Sequence, residues 1–128
     1  RSVCTISTHD MATLRGWWEE DMELTSRYYN HVLGNWGEVP ATAPAEICEE
    51  IVRQHLYSPS LLAILAFQDW LSMDADIRYP DANAERINVP ANPRHYWRYR
   101  MHLTIEELMK SKNFNEKLTS MINETRRY

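Results

Sequence analysis

Residues 3–10 carry the sequence VCTISTHD, and this stretch sets the fold expected for the chain. The run from Val3 to Ser7 is rich in β-branched residues and has no Gly or Pro, so it predicts a short buried strand. After Asp10 the apolar residues recur with a helical period, starting at Leu14. A His-Asp pair between a strand and the following helix is where a (β/α) barrel carries its reacting groups.

A second strand is predicted at Leu61 to Phe67, although an apolar run this short leaves a helix possible. Helical patterns fill most of residues 11–57, so the two strands are expected to be parallel and joined by a right-handed crossover. A two-stranded parallel sheet is not stable alone, because both faces and both edges need cover. A complete barrel takes ~250 residues, and this chain has 128. The sequence therefore predicts a helix-rich α/β piece of a larger fold.

Capping and breaking signals divide the rest of the chain into four or five predicted helices. The residues between them, from Asp74 to Pro93, are rich in Pro, Asn and Asp, and predict a long loop. The first helix is predicted at Met11–Leu33, before Gly34, and the second from Thr42 as N-cap to Tyr57. A short helical turn is predicted at Gln68–Leu71. Two capping boxes begin the last two helices: Thr104 with Glu107, to about Lys110, and Asn113 with Glu116, to about Arg126.

Composition narrows the function. Hydrophobic residues make up 44% and charged residues 25%, as in one globular domain. A net charge of −4 argues against nucleic acid as a partner. The apolar run at residues 61–67 is far too short for a membrane span, and no signal peptide is recognised. Cys4 and Cys48 are interpreted as free thiols in a reducing compartment, so a cytoplasmic location is expected.

The pair His9-Asp10 also has two simpler interpretations. It can end the strand through local hydrogen bonds, or it can bind a metal, as in His-Asp phosphohydrolases. The second interpretation needs further ligands on facing helices, and neither His31 nor His55 has a ligand at helical spacing. No metal site is therefore predicted.

Three ordered stretches resemble the 4-alpha-glucanotransferase family, the amylomaltases or disproportionating enzymes. They are STHD at residues 7–10 with TLRGWW at 13–18, LAFQDWL at 65–71, and RINVP at 86–90 with NPRHYWRYR at 92–100. The tryptophan pair and the run from His95 to Arg100 look most like the branch that has starch-binding modules upstream. The resemblance covers nearly the whole chain.

The resemblance implies a retaining transglycosylase on a (β/α)8 barrel, without a metal or organic cofactor. It implies that residues 1–128 are the C-terminal portion of the catalytic domain and supply the last two β/α units. Of the three acidic site residues of the family, the one that holds sugar hydroxyls matches Asp10, with His9 beside it. The nucleophile and the acid/base residue have no match here, so the isolated chain is expected to be inactive.

Several other residues have both a functional and a structural interpretation. Asn88 either binds an acceptor sugar or forms a turn, and Gln68 and Asp69 are expected to brace the site. The rings and guanidinium groups of residues 94–100 resemble an RNA-stacking patch, but their alternation favours an extended segment packed on the rest of a barrel, with rings and cations on opposite faces. Trp17 and Trp18 are expected to pack a helix onto the barrel rather than to form a sugar platform.

The alternative functions are a self-standing helical interaction or sugar-binding module, and, more weakly, a metal-dependent hydrolase. If the chain is part of a barrel, its unpaired strand edges and apolar faces favour self-association.

Overall fold

The computed structural model describes residues 1–127, which fold into a helix-rich α/β unit with two short parallel strands. The strands are β1, Val3–Cys4, and β2, Leu62–Ala63. The helices within this range are α1 Leu14–Glu20, α2 Met22–His31, α3 Ala45–Leu56, α4 Phe67–Leu71, α5 Ile105–Lys110 and α6 Lys112–Glu124, and a 3-10 helix lies at Ala82–Glu85. The prediction of four or five helices was therefore too low.

The two strands pair in parallel, as predicted, with Val3 opposite Leu62 and Cys4 opposite Ala63. Both are shorter than the sequence indicated, and the prediction that they are buried was wrong. Val3, Leu62 and Ile64 are each more than half exposed. Within the described residues each strand has one neighbouring strand. The outer edge of each strand and much of the apolar surface of the pair therefore stay uncovered.

The helix predicted over residues 11–33 is two helices, because the chain is extended at Asp21. The Asp21 carboxylate accepts hydrogen bonds from the backbone N–H groups of Glu23 and Leu24 at 3.0 and 3.1 Å, which makes it the N-cap of α2. The Thr25 hydroxyl then donates to the carbonyl of Trp18 at 2.7 Å and fastens α2 onto α1.

Other helix boundaries differ by a few residues. Pro44, rather than Thr42, is the N-cap residue of α3, and it fixes the extended backbone there without a side-chain hydrogen bond. The end of α3 at Tyr57 and the capping box of Thr104 are confirmed. The second predicted box is wrong, because α6 already begins at Lys112, and Asn113 lies inside it.

The core has two clusters of buried side chains, and Ile6 packs against both. One cluster contains Trp18, Cys48 and Ile51 from α1 and α3. The other receives Phe114 and Met121 from α6, and both are almost fully buried. Charged side chains also join α6 to α3. Lys117 binds Glu49 at 2.8 Å, and Arg53 forms an ion pair with Glu124.

Candidate functional site

The three site residues predicted from the sequence lie together beyond the end of β1. The Asn88 side-chain amide donates to Asp10 Oδ1 at 2.7 Å, across 78 residues of chain. His9 Nε2 lies 3.3 Å from Asp10 Oδ2. The backbone N–H of Asn88 donates to the carbonyl of His9 at 3.1 Å, so the two loops are also joined through the main chain.

The Asp10 carboxylate is held but still accessible. Its side chain and that of His9 are each 53% exposed. An ionised carboxylate has about four acceptor sites, and the hydrogen bond from Asn88 occupies one of them, while His9 lies 3.3 Å from the other oxygen. The remaining sites face solvent, where they can accept hydrogen bonds from hydroxyl groups of a bound molecule.

A long loop brings Asn88 and Trp97 to this site. The Arg86 guanidinium donates to the carbonyl of Asn88 at 2.9 Å, and His95 Nε2 lies 2.8 Å from the carbonyl of Ile87. The Trp97 ring lies against His9, with centroids 4.9 Å apart and planes tilted by 44°. Trp97 is 60% exposed, so it forms part of the rim of the site. Its position beside His9 was not predicted.

The run from His95 to Arg100 has no regular secondary structure and is mostly exposed. The predicted separation of rings and cations onto opposite faces was wrong at Arg98, whose guanidinium carbon lies 4.9 Å from the centroid of the Tyr96 ring. The cause is a cation–π contact between residues two apart in an extended segment, which lie on the same side.

Asp69 is hydrogen-bonded to the residues at both ends of the loop of residues 8–13, which contains His9 and Asp10. The expected bracing role of Gln68 and Asp69 stays a prediction. The Ser7 hydroxyl donates to one oxygen of the Asp69 carboxylate at 2.5 Å, and the backbone N–H of Leu14 donates to the other at 2.9 Å. Asp69 is fully buried. Burial raises the pKa of Asp69, and the two hydrogen bonds oppose that rise. With both oxygens bonded inside the protein, Asp69 is not a second carboxylate for substrate.

A buried ion pair lies at the end of the loop of residues 8–13, and no sequence pattern predicted it. Arg15 donates to Glu85 at 2.7 Å, and the Thr13 hydroxyl donates to the second Glu85 oxygen at 3.1 Å. The Gln68 amide donates to the backbone carbonyl of Glu85 at 3.1 Å. Burial raises the pKa of Glu85 although Arg15 favours its charged form. This pair forms between α1 and a 3-10 helix that the sequence did not predict.

Trp17 and Trp18 both pack within the chain. Trp18 is fully buried, and its indole N–H donates to the carbonyl of Pro40 at 2.8 Å. The half-buried Trp17 ring meets Tyr28 edge to face, with centroids 5.4 Å apart. Within residues 1–127, no aromatic contact or hydrogen bond joins either ring to Asp10.

Nowhere in residues 1–127 do three or more His, Cys, Asp or Glu side chains come close enough together to bind a metal ion. Within the same range, no helix is both long enough and apolar enough to cross a membrane.

Comparison with known proteins shows the class to which this fold and site belong. The family model described as 4-alpha-glucanotransferase matches residues 1–105. The chain therefore belongs to the 4-alpha-glucanotransferase family, and the resemblance drawn from the three sequence stretches is confirmed.

Individual relatives carry the same name. The chain is 40% identical over 121 residues to the 4-alpha-glucanotransferase DPE2 of Oryza sativa subsp. japonica, a match that covers 94% of this chain and 13% of the rice protein. It is 28% identical to the 4-alpha-glucanotransferase of Chlamydia trachomatis and 30% identical to that of Aquifex aeolicus, over 94% and 91% of this chain. The matched parts are 22% and 21% of those two proteins. These matches do not favour a self-standing interaction module.

Proposed function

We propose that residues 1–128 are the C-terminal portion of the catalytic domain of a retaining 4-alpha-glucanotransferase and supply the last two β/α units of a (β/α)8 barrel. The family match and the small share of each relative that the chain spans support this proposal. The exposed edges of the parallel pair also support it, because further strands of a barrel would cover them.

The enzyme would transfer α-1,4-linked glucan or glucosyl units from maltodextrin, starch or glycogen chains to the 4-OH of an acceptor sugar. Retaining transfer uses two carboxyl groups about 5 Å apart, one as nucleophile and one as acid and then base. Those two residues belong to the rest of the enzyme in this proposal. The isolated chain then lacks the reaction, and its partners are the glucan and the remainder of the barrel.

Within this reaction Asp10 accepts hydrogen bonds from ring hydroxyls of the distorted sugar. These bonds strengthen as positive charge develops in the oxocarbenium-like transition state, so they accelerate transfer more than they tighten binding. His9 and Asn88 hold the carboxylate and bind substrate beside it. The observation that carries this assignment is the half-exposed Asp10 carboxylate beyond the end of β1, with one oxygen bonded by Asn88 and the other 3.3 Å from His9.

No metal or organic cofactor has a step in this chemistry. A cytoplasmic location fits the two unpaired cysteines, Cys4 and Cys48.

The full-length enzyme tests the proposal. It is incubated with maltotriose or glycogen as donor and with glucose or maltose as acceptor. Products are separated by chromatography, and the configuration of each new linkage is read by NMR. We expect chain-length redistribution with α-linked products. New β-linkages, or hydrolysis without transfer to the acceptor, would contradict it.

A further inference from the structure

We infer that Asp69 is a positioning residue for this reaction, which holds the loop of residues 8–13 in the geometry that places His9 and Asp10. The inference rests on the proposed role of Asp10. Asp69 acts through the loop and does not touch substrate.

The first support is that one carboxylate binds both ends of the loop. Ser7 immediately precedes the loop and bonds to Asp69 Oδ2 at 2.5 Å. Leu14 immediately follows the loop as the first residue of α1, and its N–H bonds to Asp69 Oδ1 at 2.9 Å. The distance between the two ends is therefore fixed by a single rigid group. Residues 8–11 between them are exposed and have little packing of their own.

The second support is that Asp69 is itself fixed. It lies in the first turn of α4, is fully buried, and its carbonyl accepts the Ser72 hydroxyl at 2.5 Å. The adjacent Gln68 is bonded to the backbone of Glu85, whose side chain binds Thr13 at the end of the loop. Asp69 lies on α4, which follows β2, and the loop follows β1. Because β2 pairs with β1, the position of Asp69 is fixed relative to the start of the loop.

The third support concerns the kind of role Asp69 can have. Both of its oxygens are hydrogen-bonded within the protein, so neither is free to meet substrate. A role through hydrogen-bond geometry remains. An error of about 1 Å in the placement of a reacting group can reduce the rate about 100-fold, so an anchor of this kind affects turnover without contacting substrate.

The test uses the full-length enzyme. Asp69→Ala removes both anchors and should lower kcat about 100-fold, with a much smaller change in KM. Asp69→Asn keeps an acceptor for the Leu14 N–H and a polar partner for Ser7, so it should restore kcat to within about fivefold of wild type, equivalent to ~1 kcal/mol. The matched control is Thr25→Val, which removes a buried 2.7 Å hydrogen bond remote from the loop. It should leave kcat unchanged.

Amide hydrogen exchange supplies a readout that does not need activity. Exchange across residues 8–13 should accelerate in Asp69→Ala and stay at the wild-type rate in Thr25→Val. Should wild-type enzyme show no transfer, the proposed function fails, and the exchange result still decides whether Asp69 holds the loop.

Folded Asp69→Ala with wild-type kcat would overturn the inference, whether or not KM increases. Unchanged exchange across the loop would also overturn it. If Asp69→Ala does not fold, Ser7→Ala takes its place, because it removes one anchor and keeps the bond to Leu14. We then expect about a tenfold loss of kcat, equivalent to ~1.4 kcal/mol, and an unchanged kcat would overturn the inference.

Discussion

Replacing Asp10 with Asn in the full-length enzyme tests the proposed site most directly. Asn keeps the shape of the side chain and an oxygen that can accept from the Asn88 amide, which lies 2.7 Å from Asp10 Oδ1. The change is therefore mainly the loss of one negative charge. Because the side chain is 53% exposed, little stability depends on it.

The expected size follows from hydrogen bonds that a sugar would donate to two acceptor sites of Asp10. Weakening two charge-assisted hydrogen bonds to neutral ones removes about 2–3 kcal/mol. The lost attraction to the developing positive charge adds about 1 kcal/mol, even with the screening of water. A total of about 3–4 kcal/mol corresponds to a loss of roughly 150- to 900-fold in kcat.

The assay is disproportionation of maltotriose at saturating donor, with circular dichroism and thermal unfolding to confirm that the variant folds. Asp76→Asn is the control, since it removes the same charge from an exposed side chain on the turn after α4. A folded Asp10→Asn enzyme with more than about a tenth of wild-type kcat would refute the reasoning, because ~1.4 kcal/mol already gives tenfold.

Three further outcomes are expected. Burial raises the pKa of Cys48 to about 11, so at pH 8 a thiol reagent should modify Cys4 in the folded protein and Cys48 only after denaturation. Mass spectrometry would measure this, and equal modification rates of the two cysteines in the folded protein would contradict it. Burial raises the pKa of Asp69, so its contribution favours folding below the unfolded pKa and is lost as pH rises through the folded value. Urea unfolding should show wild type losing stability relative to Asp69→Asn over that interval, and parallel pH profiles would count against it. The isolated 128-residue chain should not transfer glucose from maltose, maltotriose or glycogen, and activity above a buffer control would contradict this. It should also not behave as a compact monomer, and a stable 15.2 kDa monomer by light scattering across a hundredfold dilution would contradict that.

Local patterns in the sequence predicted the features that depend on short-range physics. The parallel pairing of β1 with β2 followed from the long helical crossover, and the start of α5 followed from the Thr104 capping box. The sequence left Asn88 with two possible roles, sugar binding or a turn, and its hydrogen bond to Asp10 was found only in the structure.

Features that depend on tertiary contacts were missed, and so was one local cap. The break at Asp21 interrupts an apolar period that stays continuous in sequence; the Asp21 side chain caps α2, and the Thr25 hydroxyl fastens α2 onto α1. The Arg15–Glu85 pair joins residues whose types are usually exposed, and burial of such a pair leaves no trace in spacing. The predicted strands were too long because the sequence records residues suited to burial, whereas the described chain supplies one neighbour to each strand.

The docking of α6 bears on how the domain should be delimited for expression and engineering. The family match ends at residue 105, before α6 begins. Truncation there would remove Phe114 and Met121 from the core, a loss of about 3–6 kcal/mol of burial, which is comparable with the whole stability of many domains. It would also remove the ion-pair partners that Glu49 and Arg53 have on α6. A boundary taken from the family alignment alone would thus yield aggregation-prone protein, and chimeras with other glucanotransferases should exchange α3 and α6 together.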